Sequence, residues 1–172
     1  MLNQKLKNIT TFIFDVDGVL TDGTVTCFAS GEQVRTFLVK DGYAIEKAIQ
    51  AGFNVCIITG GFQEGVKKRL EFLGIKNIYT NVKNKVEVFE AYIKENSLQS
   101  DEILYMGDDI PDYEVMNLCG IGACPADAAD DIIKTSDFVS TKCGGKGAVR
   151  EIIEKTLKLQ NKWPLLNNNA NG

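Results

Sequence analysis

From residue 10 to residue 159, short apolar runs rich in β-branched residues alternate with longer runs of helical spacing. That alternation restricts the chain to an α/β fold with a mostly parallel sheet, because each parallel crossover needs a helix to carry the chain back. Buried strands are expected at residues 10–14, 54–58, 77–80, 102–106, 120–123 and 137–139. Helices are expected at 43–50, around Val66, Leu70 and Leu73, at 85–96, 112–118, 128–134 and 148–159. Gly52 and Gly74 stand where C-caps belong. Residues 24–28 and 33–39 form two further β-rich runs around Ala29-Ser30-Gly31-Glu32, which predicts a hairpin over about 24–39. Residues 1–160 read as one domain. The asparagine-rich stretch 161–172, with Pro164, reads as a loose tail.

A parallel sheet binds ligands in the crevice at the carboxyl ends of its strands. The first strand is followed by Asp15-Val16-Asp17-Gly18, the second by Thr59-Gly60-Gly61 and the fourth by Gly107-Asp108-Asp109-Ile110-Pro111-Asp112. Asn84-Lys85 opens a helix between them. Several aspartates gathered at one sheet edge repel each other and pay for desolvation unless a cation compensates. The ligands available are oxygens alone, which points to a hard ion of the Mg²⁺ type. A carboxylate held near that ion and a lysine can attack phosphorus, and a second carboxylate two residues on can serve as acid and base. Asp15 is the candidate nucleophile and Asp17 the acid/base, its backbone carbonyl facing the metal. Thr59 and Lys85 are candidates to stabilise the transferring phosphoryl group.

Composition narrows the chemistry further. The 172 residues contain no histidine, which excludes serine–histidine and cysteine–histidine triads. The net charge of −4 disfavours nucleic-acid and anionic-membrane partners, though not a small phosphorylated substrate. No apolar run approaches the roughly 18 residues a membrane helix needs, and the N-terminus has no signal-peptide pattern. Five cysteines without a CxxC motif read as reduced thiols in the cytoplasm. Cys119 and Cys124 resemble half a zinc site that lacks its second half.

DVDGVLTDG, ITG, NK and GDDIPD, in this order, resemble the four motifs of the haloacid dehalogenase superfamily of aspartyl-phosphate phosphotransferases. The resemblance covers roughly residues 8 to 160. It implies a Rossmann-like fold, and it assigns Asp15 as nucleophile, Asp17 as general acid/base, Thr59 as the second-motif hydroxyl and Lys85 as the third-motif lysine. It implies Mg²⁺ held by Asp15, Asp17 and Asp108, with Asp109 and Asp112 in support.

Only 44 positions separate Asp15 from Thr59, and 26 separate Thr59 from Lys85. Neither gap holds a cap domain, so the chain resembles the capless branch, and within it the 3-deoxy-D-manno-octulosonate 8-phosphate (KDO 8-phosphate) phosphatase family. That resemblance implies a small phosphorylated sugar acid as substrate and a role in lipopolysaccharide biosynthesis. It also implies a homotetramer built around the hairpin. Residues 144–151, GGKGAVRE, resemble that family's glycine-rich tail, which reaches a subunit's active site. The family usually has a charged residue after the second-motif Thr-Gly, arginine for the octulosonates and glutamate for nine-carbon acid 9-phosphates. Here it is Gly61, which leaves both acids open. Gly60, Arg69 and Lys146 are the substrate-binding candidates. Two readings from other classes compete: a receiver-type signalling module, disfavoured because the strand at 77–80 ends without an aspartate, and a non-catalytic module on the same fold, disfavoured by the intact Asp15/Asp17 pair.

Overall fold

The computed structural model describes residues 1–164. It contains α1 (Leu2–Asn8), β1 (Thr11–Phe14), β2 (Thr26–Cys27), β3 (Gln33–Val34), α2 (Val39–Gln50), β4 (Asn54–Ile58), α3 (Glu64–Phe72), β5 (Asn77–Tyr79), α4 (Lys85–Glu95), β6 (Ile103–Met106), α5 (Tyr113–Leu118), β7 (Ile121–Cys124), α6 (Asp130–Thr135), β8 (Phe138–Val139) and α7 (Ala148–Leu159). Six strands form one sheet in the order β5-β4-β1-β6-β7-β8. Every pairing in it is parallel. The chain starts in the middle at β1, winds outward through β4 and β5, then crosses back to β6. That crossover places the topological switch point beside β1, where such sheets bind ligands.

The period-two alternation of the strands divides the core into two layers. Phe12, Phe14, Val55, Ile57, Leu104 and Met106 face the side covered by α1, α2, α3 and α7. Ile13, Cys56, Ile58 and Tyr105 face α4, α5 and α6. Asp41, in the first turn of α2, caps a different helix: its Oδ1 accepts the backbone N–H of Arg150 in α7 at 2.8 Å. This ties the two helices together from the inside.

Three expectations need adjustment. The hairpin exists as an antiparallel pair, but its strands are two residues each and α2 begins at Val39, inside the expected second strand. Among the described residues no third strand lies beside it to extend the ladder. Its loop closes with Phe28 N–H donating to Glu32 O at 2.9 Å. Helix α1 was not expected: Leu2 and Leu6 put apolar residues on one face, and Gln160 Nε2 donates to the carbonyls of Leu6 and Ile9. At the other end, Lys162 lies over the Phe53 ring and Trp163 sits against Arg150 and edge-on to Tyr43. The rest of the expected tail, residues 165–172, lies outside the described residues.

Candidate active site

Phe14 pairs with Ile57 on one side and Met106 on the other. Asp15 and Gly107 therefore leave the sheet at one level, and Thr59 one residue further along the line of β4. Asp15, Asp17, Thr59, Gly60, Lys85, Asp108, Asp109 and Asp112 all line one cleft of about 400 Å³ at that edge. The four separated stretches of sequence thus share a single cleft.

Local chemistry places each group. Thr21 Oγ1 accepts the N–H groups of Gly18 and Gly23, folding the loop after β1 back on itself. Gly18 has φ +80°, and a Cβ there would stand 2.0 Å from Oδ2 of Asp108. Only glycine lets the two loops approach this closely. Asn84 caps α4, its Oδ1 accepting from Val86 and Glu87, so Lys85 begins the helix with its side chain turned into the site. Asp109 caps the short 3₁₀ turn Ile110–Asp112 through Ile110 N–H, which directs Asp112 inward. The Thr59 hydroxyl is buried and accepts Gly61 N–H at 3.3 Å.

At the centre, Lys85 Nζ donates to Asp15 Oδ2 at 2.8 Å and to Asp112 Oδ1 at 2.6 Å. Tyr105, buried beneath, donates its hydroxyl to the same oxygen of Asp112 at 2.6 Å. The second Asp15 oxygen accepts Val16 N–H. Burial and the neighbouring Asp112 raise the Asp15 pKa against the pull of Lys85. Burial opposes the charge on Lys85, but Asp15 and Asp112 outweigh it and hold the ammonium above its usual range. Asp108, desolvated and facing Asp15, Asp112 and Asp109, is pushed up to about 7.

Carboxylate oxygens of Asp15, Asp108 and Asp112 lie within 4.8 Å of one another. Ionised together, three carboxylates against one ammonium leave two uncompensated negative charges in a half-buried site. That surplus, the all-oxygen donor set and the shared reach fit a hard divalent cation.

Two expected residues are not brought to the cleft of their own chain. Arg69 lies on α3 over the Phe72 ring, close enough to α2 that a Cβ at Gly42 would meet it at 2.8 Å. Lys146 pairs with Asp22 at 3.5 Å and lines a separate basic groove of about 530 Å³ with Lys142, Arg150 and Lys158. The glycines before it press against the first-motif loop: Gly145 N–H donates to Val19 O at 3.0 Å, and a Cβ at Gly144 would stand 1.8 Å from Gly18 O.

Three residues of the site were not anticipated. Tyr105 is indistinguishable in sequence from an ordinary core residue of its strand. Thr21 carries no signal beyond its place in the loop. Arg35, just after β3, holds Asp17 through two nitrogens, Nε to Oδ1 at 2.9 Å and an Nη to Oδ2 at 3.2 Å. Its hairpin was expected to serve subunit packing.

The chain is similar in sequence and fold to known proteins. The family model for haloacid dehalogenase-like hydrolases matches residues 74–153. The chain is 37% identical over 158 residues to 3-deoxy-D-manno-octulosonate 8-phosphate phosphatase KdsC of Escherichia coli K12, covering 92% of this chain and 84% of that protein. The crystal structure of the Moraxella catarrhalis phosphatase of the same name, in complex with a magnesium ion, a phosphate ion and KDO, superposes with a TM-score of 0.90. It has 34% identity, over 93% of this chain and 92% of that one. The cobalt-bound Haemophilus influenzae enzyme gives a TM-score of 0.89 at 34% identity, over 92% and 93% of the two chains.

Proposed function

This chain belongs to the haloacid dehalogenase-like hydrolase family, and we propose that it is a Mg²⁺-dependent phosphatase that hydrolyses 3-deoxy-D-manno-octulosonate 8-phosphate. The observation that carries the reading is Lys85 bridging Asp15 and Asp112 beside Asp108, a carboxylate poised as a nucleophile in a site short of positive charge. The relatives named above act on, or hold, the same sugar acid.

Asp15 attacks phosphorus, forming an aspartyl phosphate as the bond to the sugar oxygen breaks. Asp17 gives its proton to the departing sugar oxygen. It then takes a proton from water, whose oxygen attacks phosphorus and displaces Asp15. Lys85, the Thr59 hydroxyl and the Gly60 backbone meet the phosphoryl oxygens. Asp15, Asp108 and the Asp17 carbonyl would hold Mg²⁺, with Asp109 and Asp112 supporting them. When bound, Mg²⁺ supplies charge neutralisation that lets a phosphate dianion approach three carboxylates.

Residues 1–160 act as one phosphatase domain, a reading supported by the continuous sheet from β1 to β8. A homotetramer is supported by the exposed apolar residues Val25, Phe28 and Val34 on the hairpin, which a second copy would cover. A cytoplasmic setting is supported by five free cysteines; no helix among the described residues is long and apolar enough to cross a membrane. A nine-carbon acid phosphate is the second reading. It stays open because Gly61 is neither the arginine nor the glutamate that separates the two groups.

The test is phosphate release from both acid phosphates with Mg²⁺, with EDTA, and with Asp15→Asn. Release that survives EDTA or Asp15→Asn overturns the reading.

A further inference from the structure

Arg35 occupies both oxygens of the Asp17 carboxylate. A carboxylate held at both oxygens by one guanidinium keeps its charge and resists taking up the proton an acid/base must carry, so the grip opposes the role of Asp17 until it loosens. The Arg35 side chain is only 5% exposed while that of Asp17 is 35% exposed, so the guanidinium approaches Asp17 from the enclosed side and leaves the outer face of Asp17 open to the cleft. The third nitrogen donates to Gln33 Oε1 at 3.2 Å, and that same oxygen accepts from Gln63 Nε2 at 3.2 Å. Gln63 is the N-cap of α3, two residues beyond Gly61. The hairpin and the second-motif loop therefore hold Arg35 from behind while its front edge faces the acid/base.

Gly61 lies on the same side. A Cβ there would stand 3.4 Å from the Asp17 oxygen that Arg35 grips. With no side chain at 61, no charged group from the second-motif loop reaches this point, and Arg35 is the cation that does. Of the lysines on the cleft, Lys85 is committed to two aspartates. Lys83 is exposed at its edge.

Resting on the phosphatase reading above, we propose that Arg35 is the specificity-determining residue of this site: it leaves Asp17 for the carboxylate of the sugar acid. Moving the fork from one carboxylate to another keeps two charge-assisted hydrogen bonds, so the exchange costs little. A phosphate ester without a second anion offers no replacement, and Asp17 stays gripped. The carboxylate of the substrate thus frees the acid/base as it binds.

The test compares KDO 8-phosphate with a carboxylate-free ester, p-nitrophenyl phosphate, for wild type, Arg35→Ala and Arg35→Lys with Mg²⁺. Wild type favours the acid. Arg35→Ala raises KM for the acid and raises kcat/KM for the carboxylate-free ester, so the preference falls about 10- to 100-fold. Arg35→Lys, which keeps the charge and loses the fork, stands between them. If Arg35→Ala does not fold, Arg35→Lys decides alone, by whether the preference shrinks. Equal losses on both substrates, or an unaltered preference, overturn the proposal. Wild type inert toward both esters would instead overturn the phosphatase reading.

Discussion

Lys85 Nζ lies 2.8 Å from Asp15 Oδ2, across 70 residues of sequence, with both side chains almost wholly buried. A pair this enclosed contributes more by being complete than by its gross attraction. Removing one member strands the other in a medium that solvates it poorly.

Lys85→Met therefore leaves Asp15 and Asp112 buried together without their shared cation. Stability should fall by about 3–5 kcal/mol in the absence of metal. Activity should fall about 10²-fold or more if, as proposed, Lys85 donates to the phosphoryl oxygens. Chemical denaturation with and without Mg²⁺ checks the first figure, and steady-state kinetics the second.

Asp15→Asn separates chemistry from folding. It removes one of the three clustered carboxylates while keeping the shape of the side chain, although its single amide oxygen can accept from only one of Val16 N–H and Lys85 Nζ. Turnover should drop by about 10³-fold or more. The metal-free melting temperature should change little, since the lost hydrogen bond is offset by relief of a charge that burial and Asp112 disfavour, and Lys85 keeps Asp112. A variant that melts well below wild type would show that Asp15 supports the fold.

Asp108 gives the site a dependence on pH. Desolvation and its acidic neighbours raise it to about 7 in the metal-free protein. In the unfolded chain it ionises at an ordinary carboxylate value. Between those two points the native state holds the extra proton, so this group's contribution to stability is present at low pH and is lost as pH rises through about 7. Mg²⁺ competes with that proton. Its affinity should weaken below about pH 7, and its stabilising effect should be larger at about pH 8 than at about pH 5.5. Thermal melts with and without Mg²⁺ at both values measure this, and an equal shift at the two would contradict it.

Gly18→Ala places a methyl group where Asp108 Oδ2 already stands, on a backbone at φ +80°. Asp108 must move, so Mg²⁺ affinity should fall at least about 10-fold, with the fold costing about 1–2 kcal/mol. Isothermal titration with Mg²⁺ is the direct measurement.

The sequence alone reveals much of this site, for a physical reason. Asp15, Thr59 and Asp108 each follow a strand, and in a parallel sheet the strand ends converge whatever the connections do. Lys85 is legible because Asn84 marks the helix start beside it. Arg35 is not legible, since its partner depends on how a two-residue ladder aims the hairpin, and neither composition nor periodicity encodes that angle. Tyr105 is hidden for the opposite reason: it has the apolar character its strand requires, and only its hydroxyl belongs to the site. Arg69 shows the limit of carrying a role by position, because on α3 it faces the α2 side of its own chain.

The backbone of Gly144 and Gly145 lies directly against Gly18, Val19 and Thr21, with no side chain between them. During synthesis, the loop that carries the first aspartates leaves the ribosome more than a hundred residues before the segment that braces it. A nascent chain can therefore complete β1, β4 and β6 while its catalytic loop still lacks one wall. Phosphatase competence should arrive only once residues 144–145 have emerged and packed against that loop.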